Sequence, residues 1–176
     1  MLRKKFIYLL AGTIGLAAGI YFLSSNKSQN NFFGKECPFC NTSVLEYQKF
    51  YEDDLVLALY TYKPIMPGHC LVIPKRHVER FELLSDAEAT QICRVIKKVN
   101  QAAEKAFGTS AYLLMQKNGR EVGQTVPHVH FHYIPRKTGD DSTLKFIFKM
   151  FIVNLQKPIP PAEMEQAVAK MKAAME

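Results

Sequence analysis

The sequence predicts an α+β protein: an antiparallel meander sheet with one long helix packed on it, preceded by an amino-terminal transmembrane helix. Three observations carry that reading. Val129, Phe131 and Tyr133 alternate with His128, His130 and His132, and a period of two belongs to a strand with one apolar face. Ile92, Val95, Ile96, Val99, Ala103, Ala106 and Phe107 recur at helical spacing. Short apolar runs separated by turn residues lie on both sides of that helix. One helix among several strands is the pattern of an α+β domain.

The chain has 176 residues, 48% of them apolar, which is enough for one domain with a buried core and an appendage. The appendage comes first. Phe6 to Leu23 carry no charge and follow Arg3, Lys4 and Lys5. A helix of that length spans roughly 27 Å, close to the hydrocarbon thickness of a bilayer. Gly12, Gly15, Ala17, Ala18 and Gly19 suit a membrane helix. A cleaved signal peptide would need a small-residue cleavage site behind the span, and none is evident. A buried soluble helix is the plain alternative. Residues 1–23 are therefore read as a membrane anchor, a single-pass signal anchor, and residues 24–35 as a polar linker. The basic flank points the amino terminus to the cytoplasm by the positive-inside rule. The free thiols of the domain argue the other way, and the side of the soluble domain stays open. Residues 1–35 hold five basic groups and no acids, so most of the net charge of +7 belongs to them. The rest is near neutral, and no basic stripe for nucleic acid is expected.

Cys37-Pro38-Phe39-Cys40 opens the domain. A lone C-x-x-C fits a redox motif, a disulfide or half of a zinc site, and the βαβ surroundings of a redox fold are missing. Cys70 and Cys93 sit in apolar contexts and read as core thiols. Leu45 to Tyr51 and Leu55 to Tyr60 flank Glu52-Asp53-Asp54 and read as a hairpin. Lys63 to Gly68 form a breaker-rich loop, after which His69 to Ile73 resume as a strand. Ser85-Asp86-Ala87-Glu88 is a capping box for the long helix, which Gly108 can end. A fourth strand, about Ala111 to Gln116, leads through Lys117-Asn118-Gly119 to the histidine stretch. Leu144 to Leu155 is densely apolar without a clear period, and its expected contact is the domain, a second subunit or a membrane surface. Pro160-Pro161 opens a last helix whose Met164, Val168, Met171 and Met175 read as core.

Three of the five histidines fall within five positions. On a strand, His128, His130 and His132 share one face with Cα atoms roughly 6 to 7 Å apart, close enough to hold one phosphoryl-sized group. Gly123-Gln124-Thr125 lead in as a small polar loop, and Pro127 fixes the backbone before the first histidine. A three-histidine metal site is a second functional reading. Satisfied polar residues on a surface strand are the plain one.

The stretch Gly123-Gln124-Thr125 through His128-Val129-His130-Phe131-His132-Tyr133-Ile134 resembles the signature of the histidine-triad family of nucleotide-binding proteins and hydrolases. The resemblance runs from Cys37 to about Asp140, takes in Pro67-Gly68-His69, and leans towards the fragile-histidine-triad and microbial branches. It marks residues 36–140 as the HIT domain and residues 141–176 as a carboxy-terminal extension. It implies cleavage of dinucleoside polyphosphates or adenylylated compounds, with His130 as nucleophile, His132 as a donor to a non-bridging oxygen, and His69 organising the site. Gly123, Gln124, Thr125, Thr61 and Asn118 are implied substrate contacts. Thr61 stands where an acid or amide usually meets the ribose, and Lys117 where an Asn is frequent. The resemblance also implies a structural zinc (Zn2+) on Cys37, Cys40, His77 and His128, no cofactor in the chemical step, and a homodimer. A metal-dependent hydrolase with the triad as zinc ligands, and a weakly active nucleotide-binding or sensing module tethered to a membrane, are the other two classes.

Overall fold

Asp53 shows how local chemistry sets the first turn. Its Oδ1 accepts from the backbone N–H groups of Leu55 and Val56, both at 2.9 Å, and closes a hairpin between β1 (Lys49–Glu52) and β2 (Val56–Tyr60). In the computed structural model, which describes residues 37–176, β2 pairs along its whole length with β3 (Cys70–Pro74). β4 (Tyr112–Gln116) and β5 (Phe131–Pro135) complete one five-stranded antiparallel sheet.

The strand order is β1-β2-β3-β5-β4, so the expected meander is corrected after its third strand. The intervening helix spans Asp86–Phe107, 22 residues, and is roughly 33 Å long. It carries the chain across the sheet, so that β4 becomes the far edge and β5 returns to fill the gap.

A second correction falls on Leu45 to Gln48, expected as strand. Thr42–Gln48 is a helix, α1, because the Asn41 side chain accepts from Ser43 N at 3.0 Å and caps it. The long helix, α2 (Asp86–Phe107), begins as the capping box requires. Ser85 Oγ accepts from Glu88 N at 3.2 Å and Glu88 Oε2 accepts from Ser85 N at 2.8 Å. It ends at Gly108, whose φ of 70° is left-handed.

Both faces of the sheet are covered. On one, Val56, Ala58, Val72 and Tyr133 pack against Ile92, Val95, Ile96 and Val99 of α2 and against Met164 and Met171. These methionines belong to α4 (Pro161–Met175) and are fully buried, so the methionine stripe is core. On the other face Leu57, Leu59, Leu71 and Ile73 pack with Phe39. The apolar stretch after residue 143 is helical, α3 (Thr143–Ile152). Only its Phe146 is buried, with Ile65, Met66 and Ile134, while Leu144 and Phe148 are exposed.

The membrane localisation expected from the sequence is overturned. Among the described residues no helix is long and apolar enough to cross a membrane. The expected span, Phe6 to Leu23, and the linker behind it lie outside the described residues.

Candidate active site

The triad strand is shorter than its alternation implies. Val126, Pro127 and His128 form a bend, with His128 N donating to Val126 O at 2.8 Å, and pairing begins only at Phe131. Alternation nevertheless persists. Tyr133 enters the α2 core, whereas His132 lies opposite Leu71 on the face covered by Phe39. The Phe39 ring meets the His128 and His130 rings edge-on, at 5.8 and 5.4 Å between centroids. His128 and His130 are therefore buried rather than on an open strand face, at 0% and 5% exposure.

Burial of polar imidazoles requires partners for their nitrogens, and the partners set each tautomer. His128 Nε2 donates to Pro74 O at 2.9 Å, which leaves Nδ1 as its lone-pair atom. His130 Nδ1 donates to His128 O at 2.7 Å, which leaves Nε2 as its lone-pair atom. His69 Nδ1 accepts from Ile65 N at 3.1 Å. A neutral His69 must then carry its proton on Nε2 and donate it to His132 Nδ1, 3.0 Å away. His132 in turn presents Nε2–H as a donor. Burial holds all of these rings neutral at pH 7: it lowers His69 to about 3, His128 to about 4 and His132 to about 2. Burial also lowers His130, against the pull of its bond to the His128 carbonyl.

The free Nδ1 of His128 faces a second group of side chains. Its Nδ1 lies 3.5 Å from Cys37 Sγ and 3.8 Å from Cys40 Sγ, and Cys40 Sγ lies 3.4 Å from His77 Nδ1. The four ligand atoms lie within 4.8 Å of one another. A tetrahedral ion with Zn–S and Zn–N bonds of ordinary length separates its S and N ligands by roughly 3.5 Å, so the cluster can hold a metal ion. Burial pushes the Cys37 thiol up to about 11, and a cation between the four would favour its thiolate. His130 and His132 do not join this cluster, which disfavours the triad as a set of zinc ligands.

The expected substrate contacts are placed unevenly. Gln124, expected at the phosphate, is held by its own loop: its Oε1 accepts from Gly119 N at 2.7 Å, and its Nε2 donates to Glu79 O at 2.9 Å and Val126 O at 3.1 Å. Both amide N–H groups and the carbonyl oxygen thus brace that loop. Asn118 is likewise committed, accepting from Phe81 N at 2.8 Å and donating to Glu82 at 2.8 Å. Thr61 is buried beside His69, bonding its carbonyl through the backbone at 3.2 Å. Thr125 is exposed, and Gly123 turns the loop with a φ of 81° that favours glycine. The backbone groups that set the tautomers, at Ile65, Pro74 and His128, had no signal in the sequence. Phe39 had one, as the apolar residue inside C-x-x-C.

Comparison with known proteins identifies the class to which this site belongs. The family model described as "HIT domain" matches residues 42–139, and the chain belongs to the HIT family. It is 37% identical over 138 residues to the asymmetrical bis(5'-nucleosyl)-tetraphosphatase of Schizosaccharomyces pombe, covering 70% of this chain and 76% of that protein. It is 33% identical over 116 residues to the adenylylsulfatase HINT3 of Arabidopsis thaliana, covering 65% of this chain and 59% of that protein. Among solved structures, a Hit-like protein involved in cell-cycle regulation from Bartonella henselae superimposes with a TM-score of 0.62 at 29% identity. That match covers 76% of this chain and 95% of the other.

Proposed function

We propose that this HIT-family nucleotide hydrolase cleaves a nucleotidyl phosphoanhydride or related bond, in a dinucleoside polyphosphate or an adenylylated compound, through a nucleotidyl-histidine formed on His130. The observation that carries the reading is the bond from His130 Nδ1 to the His128 carbonyl. It leaves Nε2 as an unprotonated nucleophile and stabilises the positive charge the ring gains on attack. The relatives' names, a nucleosyl tetraphosphatase and an adenylylsulfatase, share one element, a nucleotidyl phosphorus with a leaving group.

In the first step the Nε2 lone pair forms an N–P bond as the bond from phosphorus to the leaving group breaks, the leaving group keeping the electron pair. His132 Nε2–H donates to a non-bridging oxygen, its direction set by His69. Water then attacks phosphorus, the N–P bond breaks, one water proton is released, and neutral His130 is restored. Zinc on Cys37, Cys40, His77 and His128 fits as a structural ion, since the Cys₂His₂ set fills all four positions. It would hold the His128 ring and, with it, the carbonyl that accepts from His130. Gly123, Thr125 and Thr61 remain as substrate contacts, with Gln124 and Asn118 acting through the loop they brace. The domain spans residues 36–140, with 141–176 as an extension packed on the same sheet. β4 lies at the sheet edge with Tyr112 and Leu114 exposed, and it supports a homodimer that extends the sheet.

The test is hydrolysis of bis(5'-adenosyl) tetraphosphate by the purified protein, compared with His130→Ala. Release of adenosine nucleotides by the wild type and its loss in a folded variant support the reading. Equal rates in both contradict it.

A further inference from the structure

Lys117 is placed by sheet register. Met115 lies opposite His132 and Gln116 opposite Phe131, where the ladder ends, so Lys117 is the first residue past the paired end of β4, as His130 is the last before the paired start of β5. Lys117 follows Met115 by two residues, the spacing that returns a strand's side chain to the same face, here the face of His132. Its ammonium lies over the Gly123 turn, 3.5 Å from where a Cβ on Gly123 would sit. Lysine 117 is half-buried, and among the described residues no carboxylate forms an ion pair with it. Its charge reaches His132, whose pKa it helps to lower. An unpaired cation beside neutral imidazoles is a site prepared for an anion.

We infer that Lys117 pairs with the anionic chain of the substrate next to the attacked phosphorus, and so selects substrates whose leaving group departs as an anion, a polyphosphate or sulfate, over those that release a neutral amine. This rests on the hydrolase reading above and names its substrate class. Leaving-group chemistry points the same way. An amine must gain a proton as its bond to phosphorus breaks, whereas a phosphate or sulfate leaves with its electron pair and needs only a countercharge. His69 and His132 are buried and neutral, and the one ring proton of each already has its place. That of His69 is directed towards His132 Nδ1 and that of His132 towards a non-bridging oxygen, so neither imidazole is an acid for a departing amine. Lys117 supplies the countercharge.

The test compares wild type, Lys117→Met and Lys117→Arg on bis(5'-adenosyl) tetraphosphate and on adenosine 5'-phosphoramidate, with folding checked by melting temperature. A parallel arm measures binding of a methylene-bridged, non-hydrolysable analogue of the tetraphosphate and of AMP. Lys117→Met is expected to lower kcat/KM on the tetraphosphate by about 10- to 100-fold, the scale of a charged hydrogen bond. The loss on the phosphoramidate should stay under about 3-fold, and Lys117→Arg should recover most of the activity. The analogue should bind at least about 10-fold more weakly to Lys117→Met, with AMP little changed. Equal losses on both substrates, or no loss on the tetraphosphate, overturn the inference. A wild type that turns over neither compound overturns the hydrolase reading instead, and the binding arm then decides on Lys117 alone.

Discussion

The His128 carbonyl accepts the Nδ1–H of His130 at 2.7 Å, while the ring of the same His128 presents Nδ1 to Cys37 and Cys40 at 3.5 and 3.8 Å. One residue thus joins a metal-ligand cluster to the group that sets the nucleophile's tautomer. Anything that frees the His128 ring also loosens the acceptor behind His130.

Protein purified without chelators should therefore contain about one zinc per chain. Replacing Cys37 with Ser should lower metal content and melting temperature together. Activity per folded molecule should fall by less, because Pro74 still accepts from His128 Nε2. Metal analysis and thermal melting of the same samples test this. Wild-type protein free of zinc would contradict it.

His69→Phe should slow turnover by about 10-fold or more, since the bond at 3.0 Å that orients His132 is lost. The nucleophile stays in place, so a covalent adduct should still form in the variant. A His69→Phe protein with wild-type kcat would show that His132 needs no such support.

Stability should fall with acid in two stages. Burial lowers His69 from 6.5 to about 3 in the folded state, so its contribution is whole above pH 6.5 and shrinks as pH falls towards 3. Glu88, lowered from 4.5 to about 2 first by its Arg76 pair, contributes fully above pH 4.5 and loses that contribution as pH falls towards 2. Because the Arg76 side chain is 56% exposed, screening reduces the Glu88 contribution to about 1 to 2 kcal/mol. Melting temperatures measured from pH 8 to pH 3 should begin to drop near 6.5 and steepen below 4.5. A flat profile down to pH 4 would contradict the assignment.

Ser85→Ala should cost about 1 kcal/mol, the ordinary value of a helix cap, measured by denaturant unfolding. Ser85 and Glu88 illustrate what was legible in the chain. A capping box is a local pattern, and both of its bonds are made. The alternation of His130, His132 and Tyr133 was equally local, and their two faces are those expected. The strand order was not legible, because nothing in β4 or β5 says which one pairs with β3. The helix at Leu45 escaped because its apolar run resembles a strand, and the cap lies four residues upstream at Asn41. The bracing role of Gln124 was hidden for a related reason: its partners at Glu79 and Gly119 are backbone groups, which carry no residue signature.

The central claim is that His130 Nε2 becomes covalently bonded to phosphorus. It is tested most directly by mass measurement of protein mixed with bis(5'-adenosyl) tetraphosphate and quenched within milliseconds, with the triad peptide isolated by digestion. The wild type should show a transient adenylyl group on that peptide, placed on His130, and His130→Ala should show neither adduct nor turnover while remaining folded. Steady hydrolysis by a folded His130→Ala protein, or wild-type turnover with no adduct at any quench time, would contradict it.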